Sequence, residues 1–266
     1  MKRLLMAAFI VLSTAVSAFS GNSNPLIREQ HEIVVNGVEE QWRLEWLSPP
    51  SPACAPDDNS WYTCPCNGFA FGEQGKLILL RDRPSQKEET LELYKVFGNA
   101  GDYDAPVEET GGAVLRRWDV HKEDDFSADA KLLRRVQARP LSKVMNFGDY
   151  DHTGWETEFL FQVGTEPCGK KMSVAVGISR ANPHLHVLTS AEHPERLLIL
   201  QNAEWESLRL AKKHVQEIDW LCGDHASDSE IKLEMWADKY GIHVTRREYE
   251  CTKSGQPGKL ISEEAL

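Results

Sequence analysis

Alternation of apolar and polar positions supplies the first prediction. Within Val38–Leu47, Trp42, Leu44 and Trp46 alternate with Gln41, Arg43 and Glu45, the period of a strand with one buried and one solvated face. Glu32–Val35 precedes it across Asn36-Gly37, a pair that accepts positive φ, so the two runs are predicted to form a hairpin on a type I′ turn. Pro49-Pro50-Ser51-Pro52 ends the second strand, and the Cys-, Asn- and Gly-rich stretch Ala53–Gly72 reads as loop. Lys76–Leu80 is a short apolar strand. Thr90–Phe97 fits helix and strand equally: Ser85-Gln86-Lys87-Glu88 resembles a capping box, whereas Leu91 and Leu93 alternate. Gly98–Gly112 is acidic and turn-rich, and Ala113–Val120 is a candidate strand.

Ser127 is placed to cap a helix over Ala128–Gln137, with Leu132, Leu133 and Val136 on one face and Pro140 beyond its end. Glu123-Asp124-Asp125 in front of it suits a helix N-terminus. From Leu141 the pattern is β: Lys143–Phe147, Glu158–Val163, Met172–Ser179 and His184–Leu188. A helix near Ala203–Lys213 follows, then Val215–Leu221 and a hairpin from Ile231–Trp236 to Ile242–Tyr249 through Asp238–Gly241. Residues 252–266 lack a core-facing pattern and are expected to fray as a flexible tail. No period of roughly 20–50 residues repeats. The fold class is therefore mainly β (α+β): an antiparallel sandwich or partial-propeller-like architecture with two or three short helices, spanning residues 19–251 with a sub-boundary near Pro140.

The N-terminus stands apart from this pattern. Lys2 and Arg3 precede an apolar run, Leu4 to Val16, which is shorter than the roughly 20 residues a spanning helix needs, and Val16-Ser17-Ala18 has the small residues of a cleavage site. Residues 1–18 read as a signal peptide, which predicts a secreted or periplasmic protein without membrane insertion after cleavage. The 266-residue chain carries a net charge of −11, and losing Lys2 and Arg3 makes the remainder more acidic still. Such a balance opposes nucleic-acid binding, which depends on neutralising phosphates. Export also changes the reading of Cys54, Cys64, Cys66, Cys168, Cys222 and Cys251: an even set in an oxidising compartment predicts three disulfides. A zinc site lacks a second short-spaced pair beside Cys64-Pro65-Cys66. That tight pair is expected to bridge to different partners, one of them Cys54, and Cys222–Cys251 to join across strands.

One loop carries a mechanism. In Asp149-Tyr-Asp151-His-Thr153-Gly154, oxygen-bearing residues occupy the first, third and fifth positions and glycine the sixth, which converges oxygens on a hard cation such as Ca²⁺. An EF-hand does not follow, because Leu160 holds the twelfth position and the flanks read as strands. The stretch resembles the calcium loop of FG-GAP/VCBS repeats, the integrin-α-type module, in which an Asp-x-Asp-x-Asp-Gly-x-x-Asp run leads into an apolar strand such as Phe159-Leu-Phe-Gln-Val163. Thr153 stands where that family has an acid, and the closing acid, Glu158, comes one residue late. The resemblance covers one short copy, so it implies a structural calcium loop with Asp149, Asp151, Thr153 and Glu158 as ligands, not a propeller.

Catalytic patterns are weaker. Gly177-Ile-Ser179-Arg-Ala181 approaches a nucleophile elbow, yet Asn182-Pro183 follows where a helix should open, so Ser179 reads as a strand-turn serine. His184 and His186 share a strand face and make a speculative second metal pair, for which His193, Asp224 or His225 would have to supply a third ligand. Glu156 and Glu158 share a face too, the arrangement a glycosidase would require across a cleft. Trp42, Trp46, Trp205, Trp220 and Trp236 fit core positions, leaving loop residues Trp61 and Trp155 as candidates for stacking on a sugar. The expected function is thus an exported, non-catalytic binding or structural protein with a calcium loop and an extracellular or periplasmic ligand. The alternative is a secreted hydrolase of an extracellular polymer, possible metal assistance coming from the same acids or histidines.

Overall fold

The turn chemistry of Asn36-Gly37 is realised directly: both residues have positive φ, 53° and 78°, and strands β1 (Leu26–Val35) and β2 (Val38–Trp46) pair antiparallel on either side. The computed structural model describes residues 25–54, 65–101, 103, 105–106, 111–119, 121, 130–166 and 169–266. The segment read as a signal peptide, Cys64, Cys168, Trp61, the Glu123-Asp124-Asp125 cluster and the expected cap Ser127 lie outside them. Along the chain follow β3 (Ser51–Ala53), β4 (Gly72–Gly75), β5 (Leu77–Asp82), β6 (Glu89–Leu91), helix α1 (Leu93–Asn99), β7 (Ala113–Arg116) and α2 (Ala130–Gln137). The second half contains β8 (Glu158–Glu166), β9 (Lys170–Gly177), β10 (His186–Val187), β11 (Leu200–Gln201), α3 (Asn202–Leu210), β12 (Val215–Trp220), β13 (Ser229–Asp238), β14 (Gly241–Cys251) and β15 (Pro257–Ala265).

These strands make four antiparallel sheets, ordered β1-β2-β5-β6, β3-β4-β7, β8-β9 with β10 and β11 along the far edge of β9, and β12-β13-β14-β15. The mainly β class with short helices and disulfides is what the pattern predicted. Trp42, Leu44, Leu77 and Leu79 of the first sheet meet Phe159, Phe161, Val174 and Val176 of the β8–β9 sheet in one core, closed by Leu93 and Phe97 of α1. A second core gathers Trp205 and Leu208 of α3 with Leu233, Met235, Ile242 and Val244 of the last sheet. Strand β9 belongs to both, since Val174 and Val176 face the first core while Ala175 faces the second. A strand buried on both faces reads as a mostly apolar run, which is the character of Met172–Ile178, whose one polar side chain, Ser173, is buried and donates to Asn202 Oδ1 at 2.6 Å.

Two buried arginines inside this packing are paired with carboxylates. Arg81 makes two bonds to the Glu40 carboxylate, at 2.6 and 2.8 Å, and Glu40 also accepts Trp42 Nε1–H at 3.0 Å. Arg28 pairs with Glu73 and donates to the Ser142 carbonyl at 2.9 Å. Ser142 N–H donates to Arg117 O at 2.9 Å, so the chain just beyond Pro140 is stitched to the first half.

Two sequence expectations are corrected and one open choice is resolved. Lys143–Phe147 is not a strand, because Val144 and Met145 give their N–H groups to the Glu29 carboxylate, at 2.7 and 3.2 Å, instead of to a neighbouring strand. Thr90–Phe97 divides its two tendencies, β6 ending at Leu91 and α1 starting at Leu93. The tail after Cys251 does not fray: β15 pairs along β14, Arg247 Nε donates to Glu263 at 2.7 Å, and Leu266 N–H donates to Val244 O at 2.9 Å. Nearly every β15 residue is exposed, and a strand wet on both faces carries no alternation to read. Among the described residues two disulfides are formed, Cys54–Cys66 and Cys222–Cys251, the latter tying the turn after β12 to the end of β14.

Candidate metal centre

Gly148 and Glu158 exchange backbone hydrogen bonds, Gly148 N–H to Glu158 O at 2.8 Å and Glu158 N–H to Gly148 O at 3.2 Å, and this bridge cinches the intervening chain into a closed loop. Inside it, Asp149 accepts Thr153 N–H at 2.8 Å and Gly154 N–H at 2.9 Å, and Asp151 accepts Thr153 N–H at 3.1 Å. Short carboxylates capping nearby amides in this way are why Asp favours turns. The curl requires positive φ at His152 (56°) and Gly154 (87°). Glycine meets that requirement without steric cost; His152 is held in it by a 2.9 Å bond from its ring to Leu208 O of α3.

The result brings one oxygen each from Asp149, Asp151 and Glu158 within 4.8 Å of one another. Glu158 is fully buried, its Oε2 accepting Tyr150 N–H at 2.8 Å and its Oε1 accepting the Thr157 hydroxyl at 2.6 Å. Burial, followed by the neighbouring Asp151 charge, pushes its carboxyl up to about 8. Asp151 is also raised, first by burial and then by the charge of Asp149. Three carboxylates crowded in a low-dielectric pocket repel one another, and two relieving events exist: proton uptake or a cation. Hard divalent cations take six to eight oxygens at about 2.3–2.6 Å for Ca²⁺, so backbone carbonyls or water would complete the shell. Thr153 serves the cluster chiefly as a donor, through its N–H and through a hydroxyl 3.4 Å from Asp149 Oδ1.

Other predicted residues are distributed differently. Among the described residues, Asp149, Asp151 and Glu158 form the group of three metal-type ligands whose atoms converge. His184 and His186 have separate partners: His184 Nδ1 lies 2.9 Å from Glu89 Oε1, while His186 Nε2 lies 3.2 Å from Ser179 Oγ. Glu156 is exposed in the loop and Glu158 sealed beneath it, so the two do not share a cleft. Trp42, Trp46 and Trp205 are core residues. Trp220 and Trp236 are only half-buried on the last sheet, and Trp236 stacks between the His214 and His243 rings at 4.4 and 4.8 Å. Trp155 remains exposed on the loop.

Beside the loop, Asp151, Ser179, Arg180, Asn182, His186 and Tyr240 line a cavity of about 460 Å³ between the loop, the turn after β9 and the β13–β14 hairpin. Local sequence did not reveal the Ser179–His186 contact. Its signal is the glycine two residues before the serine: antiparallel pairing of β9 with β10 sets His186 opposite Gly177 and so brings the imidazole back to Ser179. No family model, curated protein or solved structure matches the chain.

Proposed function

We propose that this is an exported β-rich protein of binding or structural role, in which the Gly148–Glu158 loop holds a structural divalent cation, calcium in an extracellular or periplasmic setting. The observation that carries the reading is the convergence of three carboxylates with Glu158 wholly buried. A cation there would neutralise the cluster and lock the Gly148–Glu158 bridge to β8 and, through His152, to α3. Two disulfides support an oxidising destination, and among the described residues no helix is long and apolar enough to cross a membrane. Extracellular calcium modules bind at roughly 10⁻⁴–10⁻³ M, the range suited to a site with three carboxylates and no fourth.

The test is a thermal melt of the oxidised protein with calcium and with chelator. At millimolar calcium a site of that affinity adds about 0.4–1.4 kcal/mol to the folded state. The melting temperature is expected to rise with calcium, and Asp149→Ala with Asp151→Ala to abolish the rise; no shift at millimolar calcium defeats the reading. A second reading, a secreted hydrolase, draws on one observation of its own: the cavity beside the loop gathers Asp151, Ser179 and His186.

A further inference from the structure

We propose that Ser179 and His186 are a nucleophile and general-base pair for acyl transfer from carboxylic esters in the cavity beside the loop. The proposal rests on the hydrolase reading of that cavity and is independent of the cation. Four observations carry it. Ser179 Oγ and His186 Nε2 are 3.2 Å apart, within the reach a base requires. The His184 carbonyl lies 2.8 Å from His186 Nδ1, and a carbonyl only accepts, so Nδ1 carries the hydrogen and the neutral ring turns its Nε2 lone pair toward the serine. Asn182 N–H donates to Ser179 Oγ at 3.1 Å, leaving the hydroxyl hydrogen for the imidazole. Both side chains line a cavity of about 460 Å³, within the size range of small-molecule sites.

The supporting frame is rigid. Arg81, buried and paired with Glu40, donates to Pro183 O at 2.5 Å, and Glu89 accepts Leu185 N–H at 3.0 Å. These bonds from the first sheet fix the chain immediately before the imidazole. The turn itself is closed by Ser179 N–H to Asn182 O at 2.9 Å.

In the reaction, Ser179 Oγ bonds to the ester carbonyl carbon as its proton passes to His186 Nε2. The carbon–alkoxide bond then breaks, and the same proton leaves on the departing alcohol. Water repeats the sequence on the acyl-serine, giving its proton through His186 to Oγ and releasing the carboxylic acid. Arg180, which also donates to Thr153 O at 3.1 Å, and the Asn182 side-chain amide lie on the same lining and are donors for the negative carbonyl oxygen. Because a carbonyl rather than a carboxylate backs His186, the imidazolium is less stabilised than in a Ser-His-Asp triad, which suits esters with good leaving groups over amides.

The experiment treats the oxidised full-length protein with an alkyl phosphonofluoridate, whose phosphorus bonds to an activated serine oxygen as fluoride leaves, and maps the adduct by peptide mass with and without chelator. The expected result is one adduct on Ser179, formed in both conditions, with hydrolysis of 4-nitrophenyl acetate that falls about 100-fold in His186→Ala, the lower end of what a positioned base contributes. No adduct on Ser179, or labelling at the same rate in His186→Ala, overturns the pair. An adduct on a different serine also overturns it while leaving a hydrolase in place. Mapping on the unmutated chain gives its answer even if a variant fails to fold.

Discussion

Tyr150 donates its backbone N–H to Glu158 Oε2 at 2.8 Å, so the loop that presents Asp149 and Asp151 is fastened to the buried carboxylate that closes it. Folding the loop and burying the charge are therefore one event. Burial at the head of β8 and the charges of Asp151 and Asp149 raise the proton affinity of Glu158, and its two donors, Tyr150 N–H and the Thr157 hydroxyl, offset only part of that rise.

That rise makes stability depend on pH in a definite sense. Glu158 holds its proton up to about 8 in the folded protein against 4.5 in the unfolded chain, so between those values the native state binds more protons and its stability falls as pH rises. Metal-free protein is expected to lose stability from this group between pH 5 and 8, and Glu158→Gln to flatten that slope. Calcium should restore stability most strongly near pH 8, where it no longer has to displace a proton. Urea midpoints at a series of pH values check this; a slope unchanged in Glu158→Gln assigns the effect elsewhere.

Gly177 is the point where β9 meets the loop. A Cβ there would lie 2.2 Å from Thr157 O and 2.8 Å from Glu158 Cα, both backbone atoms that cannot swing away. Gly177→Ala is expected to destabilise by at least the ~1–3 kcal/mol of an overpacked core and to weaken the calcium-induced shift. A wild-type urea midpoint with a full calcium shift would contradict this account.

Cys54–Cys66 and Cys222–Cys251 leave Cys64 and Cys168, which lie outside the described residues. Described residues close to them in sequence lie near one another, a Cβ added at Gly169 falling 2.6 Å from the side-chain oxygen of Asn67. Peptide mapping without reductant is expected to yield a Cys64–Cys168 pair and no free thiol. Replacing Cys222 and Cys251 together by Ser is expected to cost about 2–4 kcal/mol by urea denaturation. A reactive thiol in the denatured, unreduced chain would refute the third bond.

Deleting residues 257–266 uncovers the β14 edge and removes Leu266 from the second core. The expected loss is about 1 kcal/mol or more, or about 2–4 °C in Tm for a chain of this size, with greater aggregation from the bared edge. An unchanged melting temperature would return this segment to the status of a dispensable tail.

Much of the fold was legible because its signals are local. Asn36-Gly37 dictates its own turn, Trp42, Leu44 and Trp46 declare a buried face, and Met172–Ser179 reads as a strand, though only the packing shows that it is covered on both sides. Lys143–Phe147 misleads because Glu29, distant in sequence, takes its amides, and β15 is silent because neither of its faces is buried. In the loop, the spacing of Asp149, Asp151 and Glu158 was visible, whereas the sealing of Glu158 and the exposure of Glu156 depend on how β8 packs.

By itself the sequence determined a mainly β chain with few helices, the Cys222–Cys251 pairing as the expected choice with Cys54 bridged to one of Cys64 and Cys66, and an acidic loop of cation-binding character. Only the tertiary structure decided which acids converge, that the two candidate histidines part company, and that His186 comes back to Ser179. Periodicity and turn chemistry act over a few residues and are written in the chain. Convergence of side chains is set by strand pairing and by two cores sharing β9, and those relations exist only once distant segments have packed.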